Sequence, residues 1–280
     1  MILGSHLSIA GGVHNALLGA AELGFNAAGM FVRNQRQWNA KPLSDEDIQT
    51  FHATRKQTRI RAVVAHGSYL INLAGDAEVR GKSLVALDDE LDRCAKLGIE
   101  SYVMHPGSNA DPDVGMRLIA EALNEAVARV DGPRILLETT AGAGRTLGAT
   151  FEQLAELLDL LGPSGRFGAC VDTAHIFAAG YDLRTERACR ATFKQFNATV
   201  GIDRLGVIHV NDNCFDLGSR RDRHAHLGEG TIGLDAFAYL VNHRKLSRVP
   251  MIMETPKGPD DDGREWDQVN AETLRGLVRS

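Results

Sequence analysis

Eight short apolar runs, MILGSH, AAGMFV, AVVAH, SYVMH, RILLE, FGACVD, GVIHV and PMIME, recur along the chain, separated by stretches with helical spacing. That alternation narrows the fold more than any other feature. Short, unbroken aliphatic runs read as strands buried on both faces. The segments between them include VHNALLGAAELG, KSLVALDDELDRCAKLG, GMRLIAEALNEAVARV, TFEQLAELLDLLG and LDAFAYLVNHRKL. Their apolar residues return every three or four positions, as on an amphipathic helix. Ser44 with Asp47, and Thr150, stand where helix N-caps belong, and Gly24, Gly98, Gly162 and Gly201 where helices stop. Strands alternating with helices imply a parallel sheet, and eight evenly spaced units favour its closure into a (β/α)8 TIM barrel of the α/β class. No G-x-G-x-x-G follows the first strand, which argues against a dinucleotide-binding sheet. At 280 residues, without a low-complexity linker, the chain is expected to form a single domain over 1–280.

The strand ends carry the chemistry. Six of them finish on a side chain able to bind a metal: His66, His105, Glu138, Asp172, His209 and Glu254. In a parallel barrel those ends share one rim, where such folds assemble catalytic groups. One histidine or carboxylate at a strand end is ordinarily hydrogen-bonded structure; six together are not explained that way. Two short spacings add candidates. In VDTAHIFAAGYD, Asp172 and His175 form D-x-x-H, and a turn after the strand can bring His175 back over the rim. In GSRRDRHAHLGEG, Asp222 and His224 form D-x-H, whose alternate side chains point the same way on an extended segment. Imidazole and carboxylate donors without cysteine suit zinc, with manganese an alternative. They exceed one tetrahedral ion's needs and suit two or three, with Glu138 in the middle of the rim order as the bridging candidate.

The composition excludes several classes. No stretch approaches the length of a membrane span and the N-terminus has no signal-peptide pattern, so a cytoplasmic protein is expected. Cys94, Cys170, Cys189 and Cys214 are scattered, without a C-x-x-C pair, and read as reduced thiols. A formal charge of -5 argues against generic nucleic-acid binding. Divalent ions held at the rim would offset much of it, and local potential rather than net charge steers a polyanion.

Taken in order, SHLSIAGG, RNQRQW, HGSYLINLA, HPGS, LLETTAGAG, VDTAHIFAAGYDLRT, HVND, GSRRDRHAHLGEG and ETP resemble the endonuclease IV family of apurinic/apyrimidinic endonucleases over almost the whole chain. The resemblance implies a zinc-dependent DNA-repair enzyme (deoxyribonuclease IV) that cuts 5′ to an abasic site and leaves a 3′-hydroxyl and a 5′-deoxyribose phosphate. It implies a first zinc on His66, His105 and Glu138, a second on Glu138, Asp172, His209 and Glu254, and a third on His175, Asp222 and His224. Glu138 and Glu254 count as catalytic, holding ions that share the attacking hydroxide. The implied partner is double-stranded DNA with abasic sites or blocked 3′ ends, bound by a monomer. Arg36 and Tyr69 are implied to enter the minor groove and hold a bent duplex with the lesion flipped out. Arg220, Arg221 and Arg223 are placed to meet phosphate. Trp38 reads as packing.

Departures from the family pattern leave the proposed ligands untouched. Asn213, Cys214 and Phe215 follow HVND where many members have a small residue and a lysine, and Cys214 has a spacing that fits no cysteine-based metal site. Gly29, inside the second strand, replaces a larger residue and is expected to leave the packing looser. His6 ends the first strand as a supporting group; His14, His52, His226 and His243 read as surface or helix residues. Two other readings stand beside the endonuclease. A sugar isomerase or epimerase on the same barrel would also place Glu, Asp, His and Glu at late strand ends, but has no evident use for His66, His105, both D-containing spacings and RNQRQW together. A protein that binds damaged DNA without cutting it is the third.

Overall fold

The structure is a computed structural model that describes residues 1–163 and 165–279. In chain order the elements are β1 (Leu3–Leu7), α1 (Asn15–Glu22), β2 (Ala27–Phe31), α2 (Asp45–Thr58), β3 (Ala62–His66), α3 (Ala77–Leu97), β4 (Ser101–Met104), α4 (Pro112–Arg129) and β5 (Arg134–Glu138). There follow α5 (Phe151–Leu160), β6 (Phe167–Asp172), α6 (Thr173–Ala179), α7 (Glu186–Thr199), β7 (Leu205–His209), β8 (Asp212–Asn213), β9 (His224–Ala225), α8 (Leu234–Asn242), β10 (Met251–Met253) and α9 (Trp266–Gly276). Eight strands close into a parallel barrel in the order β1-β10-β7-β6-β5-β4-β3-β2, the TIM barrel expected from the alternation.

Local signals placed several boundaries. Ser44 and Asp47 form a reciprocal capping box at the start of α2, and the Thr150 side chain caps α5. Gly98 ends α3 with φ +63°, a left-handed turn in which a side chain would be strained. The helix expected to run from Leu234 to Leu246 stops at Asn242, and a single 3-10 turn follows at Leu246–Arg248.

The barrel interior explains why ligands fall at strand ends. Val64, Val103, Leu136, Cys170, Val207 and Ile252 form one buried cluster inside it. Strand side chains alternate, so the residue two positions further along points the same way. Those residues are His66, His105, Glu138, Asp172, His209 and Glu254. Four are the last residues of their strands, and His105 and Glu254 lie one residue beyond theirs. The polar residues thus form the layer above an apolar plug, and neighbours meet in register: Asp172 pairs with His209 across β6 and β7.

Two features differ from expectation. Gly29 does not loosen the packing: a Cβ there would meet Ile252 Cγ2 at 2.6 Å and His6 Cα at 3.2 Å, so the barrel closes tightly on the missing side chain. The D-x-x-H segment is not a free turn but the first turn of α6. In addition, β8 and β9 form a two-stranded antiparallel ribbon, with Asp212 opposite Ala225 and Asn213 opposite His224.

Candidate metal centre

Glu138 stands at the centre of the rim, fully buried at the end of β5. His66 Nε2 and His105 Nε2 each lie 3.2 Å from its Oε2, while His209 Nδ1 is 2.7 Å and His175 Nδ1 3.5 Å from its Oε1. Four groupings bring potential ligand atoms within 4.8 Å of one another: His66, Glu138 and His209; His105, Glu138 and His175; Asp172, His175 and His224; and Glu138, Asp172, His209 and Glu254. Glu138 belongs to three of them. The last set matches the second set of ligands proposed from sequence. Asp222, expected beside His175 and His224, lies outside the four groupings but approaches the third, which holds Asp172 with those histidines, with Oδ2 3.1 Å from His175 Nε2 and Oδ1 3.4 Å from His224 Nε2.

Surrounding groups fix which ring nitrogen is available. The Nδ1–H of His66 donates to the Gly67 carbonyl at 2.8 Å, that of His175 to the Thr139 carbonyl at 2.8 Å, and that of His224 to the Glu254 carbonyl at 3.1 Å. A carbonyl only accepts, so each Nδ1 is protonated, and in the neutral ring each Nε2 keeps its lone pair. Those Nε2 atoms face carboxylate oxygens, and on His175 and His224 they are buried without a hydrogen bond. Lone pair against carboxylate is repulsive unless a cation lies between them. A proton on each ring would serve, and so would a metal ion. Three carboxylates, Glu138, Asp172 and Glu254, converge with His209 in one grouping, a concentration of negative charge that favours a divalent ion.

Electrostatics agree. Burial opposes ionisation of Glu138 and Glu254, but facing histidines, His209 foremost, outweigh it and hold both carboxyls well below the ordinary range. Burial keeps the Cys170 thiol protonated, pushed up to about 12, so it supplies no thiolate. Cys214 is exposed on the ribbon and belongs to none of the four groupings.

Several supporting residues were invisible or undervalued in the sequence. Asn211 donates to Asp172 Oδ2 at 2.6 Å and accepts from the Glu254 backbone N–H at 2.7 Å, tying two rim carboxylates together. Its signal was present in HVND but had no partner to read it against. Thr139 accepts from the Asp172 N–H and offers its carbonyl to His175. His6, expected as support, lies 3.1 Å from Glu254 Oε1 through Nδ1. His226 is not a loose surface group: its ring stacks on Trp266 at 3.7 Å.

Beside the centre lies a cleft of about 750 Å³, lined by His6, Phe31, Arg36, Tyr69, Glu254 and Lys257 among others. Tyr69 is 61% exposed, and its ring centroid stands 5.3 Å from that of His66 and 5.7 Å from that of His105. Arg36 is exposed at the tip of its loop, and Trp38 packs against the core as expected. The three loop arginines are exposed but diverge. Arg220 turns toward a hollow shared with Gly142, Arg145 and Thr150, and Arg221 lies over the Phe215 ring at 3.6 Å.

Residues 18–277 match the family described as xylose isomerase-like TIM barrel. The chain is 47% identical to a probable endonuclease 4 of Chloroflexus aggregans, over 99% of this chain and 97% of that protein. Among solved structures it is similar to endonuclease IV from Thermus thermophilus, with a TM-score of 0.87 and 36% identity over 99% of this chain and 98% of that one. A D-tagatose 3-epimerase-like protein shares the fold at a TM-score of 0.73 and 21% identity, covering 99% of this chain and 97% of its own.

Proposed function

Because the chain belongs to the xylose isomerase-like TIM barrel family and, within it, to the endonuclease 4 proteins, we propose that this endonuclease hydrolyses the DNA phosphodiester 5′ to an abasic site, leaving a 3′-hydroxyl and a 5′-deoxyribose phosphate. The observation that carries the reading is the set of Nε2 atoms turned by backbone carbonyls toward the carboxylates of the rim and of Asp222. Zinc is the ion its nitrogen and oxygen donors suit best. His66, His105 and Glu138 would hold one ion, Glu138, Asp172, His209 and Glu254 a second, and His175, Asp222 and His224 a third.

Zinc held there would supply positive charge against the phosphoryl oxygens and a source of hydroxide at neutral pH. The chain's own groups do the rest. Glu138 and Glu254 stay ionised and keep the rim receptive to cations. Arg36 and Tyr69 contact the duplex beside the cleft, Tyr69 offering an exposed aromatic face that can fill the gap left by a missing base. Arg220, Arg221 and Arg223 meet the backbone phosphates, and the chain acts as a monomer because the rim must lie open to DNA. No helix among the described residues is long and apolar enough to cross a membrane.

The test is incision of a labelled duplex carrying one abasic-site analogue, beside the intact duplex, with metal content measured on the same preparation. Cutting 5′ to the lesion with about three zinc ions per chain is expected. Full metal loading without incision would refute the reading and favour a non-cutting DNA-binding protein.

A further inference from the structure

Helix α3 buries Ala86, Leu87, Leu91, Cys94 and Leu97, yet the same face carries Glu90, fully buried. A leucine there would serve packing better, since a buried carboxylate needs partners to offset its lost hydration. None of its partners belongs to α3. Glu90 Oε2 accepts from the Tyr102 hydroxyl at 2.7 Å and from the Ser68 backbone N–H at 3.2 Å, and Oε1 lies 3.7 Å from Arg33 Nε.

Two of those partners, Arg33 and Ser68, sit at the base of the loops that present Arg36 and Tyr69. Arg33, buried although it opens RNQRQW, donates to Asp89 Oδ2 at 2.9 Å, to the Trp38 carbonyl at 2.6 Å and to the Gln37 carbonyl. The loop is thus wrapped around its own guanidinium. Arg93 reaches the far arm, donating to the Lys41 carbonyl at 2.7 Å while bound to Asp89. Ser68 Oγ donates to the Gln35 carbonyl at 2.8 Å, one residue from each exposed tip, and so joins the loops to each other.

We propose that Glu90 is a positioning residue for DNA recognition: from the body of α3 it fixes the Arg36 and Tyr69 loops in one mutual geometry. The proposal rests on the reading of Arg36 and Tyr69 as DNA contacts. Glu90 hydrogen-bonds no proposed metal ligand and lies outside the four groupings, so its main effect is on how well the loops fit a lesion. A positioning fault away from the chemistry is felt in substrate binding when the reacting groups themselves are undisturbed.

The experiment compares the metal-loaded wild type with Glu90→Gln on abasic and intact duplexes. The amide keeps the size of the side chain and an acceptor but removes the charge facing Arg33. Expected are unchanged metal content, kcat within about threefold, KM raised about tenfold, and a similar loss of preference for abasic over intact duplex. Unchanged KM and preference in a folded variant overturn the proposal, as does loss of metal or of kcat at constant KM. Should Glu90→Gln not fold, Ser68→Ala cuts the tie between the loops without touching a buried charge; it is expected to raise KM in the same way, and an unchanged KM overturns the proposal. Arg36→Ala and Tyr69→Ala in the same assay separate the two ideas. If they leave the preference intact, the loops do not read the lesion and both readings fall. If they lower it while Glu90→Gln does not, only the role of Glu90 falls.

Discussion

Asp172 Oδ1 accepts a hydrogen bond from the backbone N–H of His175 at 2.9 Å. The D-x-x-H spacing is therefore a helix cap and, in the proposed metal centre, a pair of ligands at once: Asp172 is the N-cap of α6 and His175 lies in its first turn, held at the rim by the helix it helps to start. Asp172→Asn keeps a capping oxygen and Asp172→Ala does not. Both are expected to lose incision by about a hundredfold or more, since even supporting groups of a metal site cost 10–100-fold. Amide exchange should separate them: protection of the His175 N–H persists in Asp172→Asn and falls about fivefold in Asp172→Ala, for a cap of about 1 kcal/mol. Equal protection in the two would disprove the dual role.

Metal stoichiometry distinguishes a shared ligand from a terminal one. Glu138 belongs to three of the four groupings, whereas Asp222, 47% exposed at its side chain, reaches the centre from a loop. Glu138→Gln is expected to lower bound zinc by more than one ion per chain, and Asp222→Asn by about one. Elemental analysis after dialysis checks this, and equal losses would remove Glu138 from the bridging position.

The pH dependence of stability should reverse when metal is removed. Burial resists the charge on His66 and His175, but Glu138 and Glu254 beside the first, and Asp172 and Asp222 beside the second, raise both above the ordinary histidine value of 6.5. Their stabilisation is fully present below 6.5 and is lost as pH rises through the raised values. Glu138 and Glu254, depressed from 4.5, contribute above that value and lose the contribution as pH falls toward the depressed ones. The chelated protein should thus be most stable between these limits and weaken on the alkaline side. Zinc competes with protons for the rings, so the gap in Tm between loaded and chelated protein should widen as pH rises. A chelated protein that gains stability steadily from neutral to alkaline pH would contradict this.

Gly29→Ala is expected to destabilise the barrel by about 1–3 kcal/mol, the usual cost of overpacking a core. The added methyl meets Ile252 and His6, and His6 touches Glu254, so metal affinity should fall as well. Thermal melts with and without metal measure both effects; a neutral substitution would show that Ile252 can step aside.

The barrel was legible because each strand announces itself as an unbroken apolar run, and a period of two puts any ligand at a strand end above an interior residue. His66 above Val64 and Glu138 above Leu136 follow from spacing alone. What escaped were pairings across the chain. β8 and β9 are two residues each, too short for a pattern, and the stack of Arg221 on Phe215 depends on a turn no local signal specifies. Glu90 was readable in principle: it stands three residues after Leu87 and four before Cys94, on the apolar face. Its neighbours Asp88, Asp89 and Asp92 disguised it as one more surface acid. Asn211 needed both its carboxylate and its backbone partner to be seen.

Asp212 closes the excursion that carries Asp222 and His224. Its buried carboxylate accepts from the backbone N–H groups of Asn213 at 2.8 Å, Gly228 at 3.0 Å and Ile232 at 2.9 Å, so the segment leaves and rejoins the barrel at a single side chain. A loop pinned at its neck unfastens as a unit. Solvent exchange of the amides at its base and escape of an ion held there by Asp222 and His224 would then share one opening event.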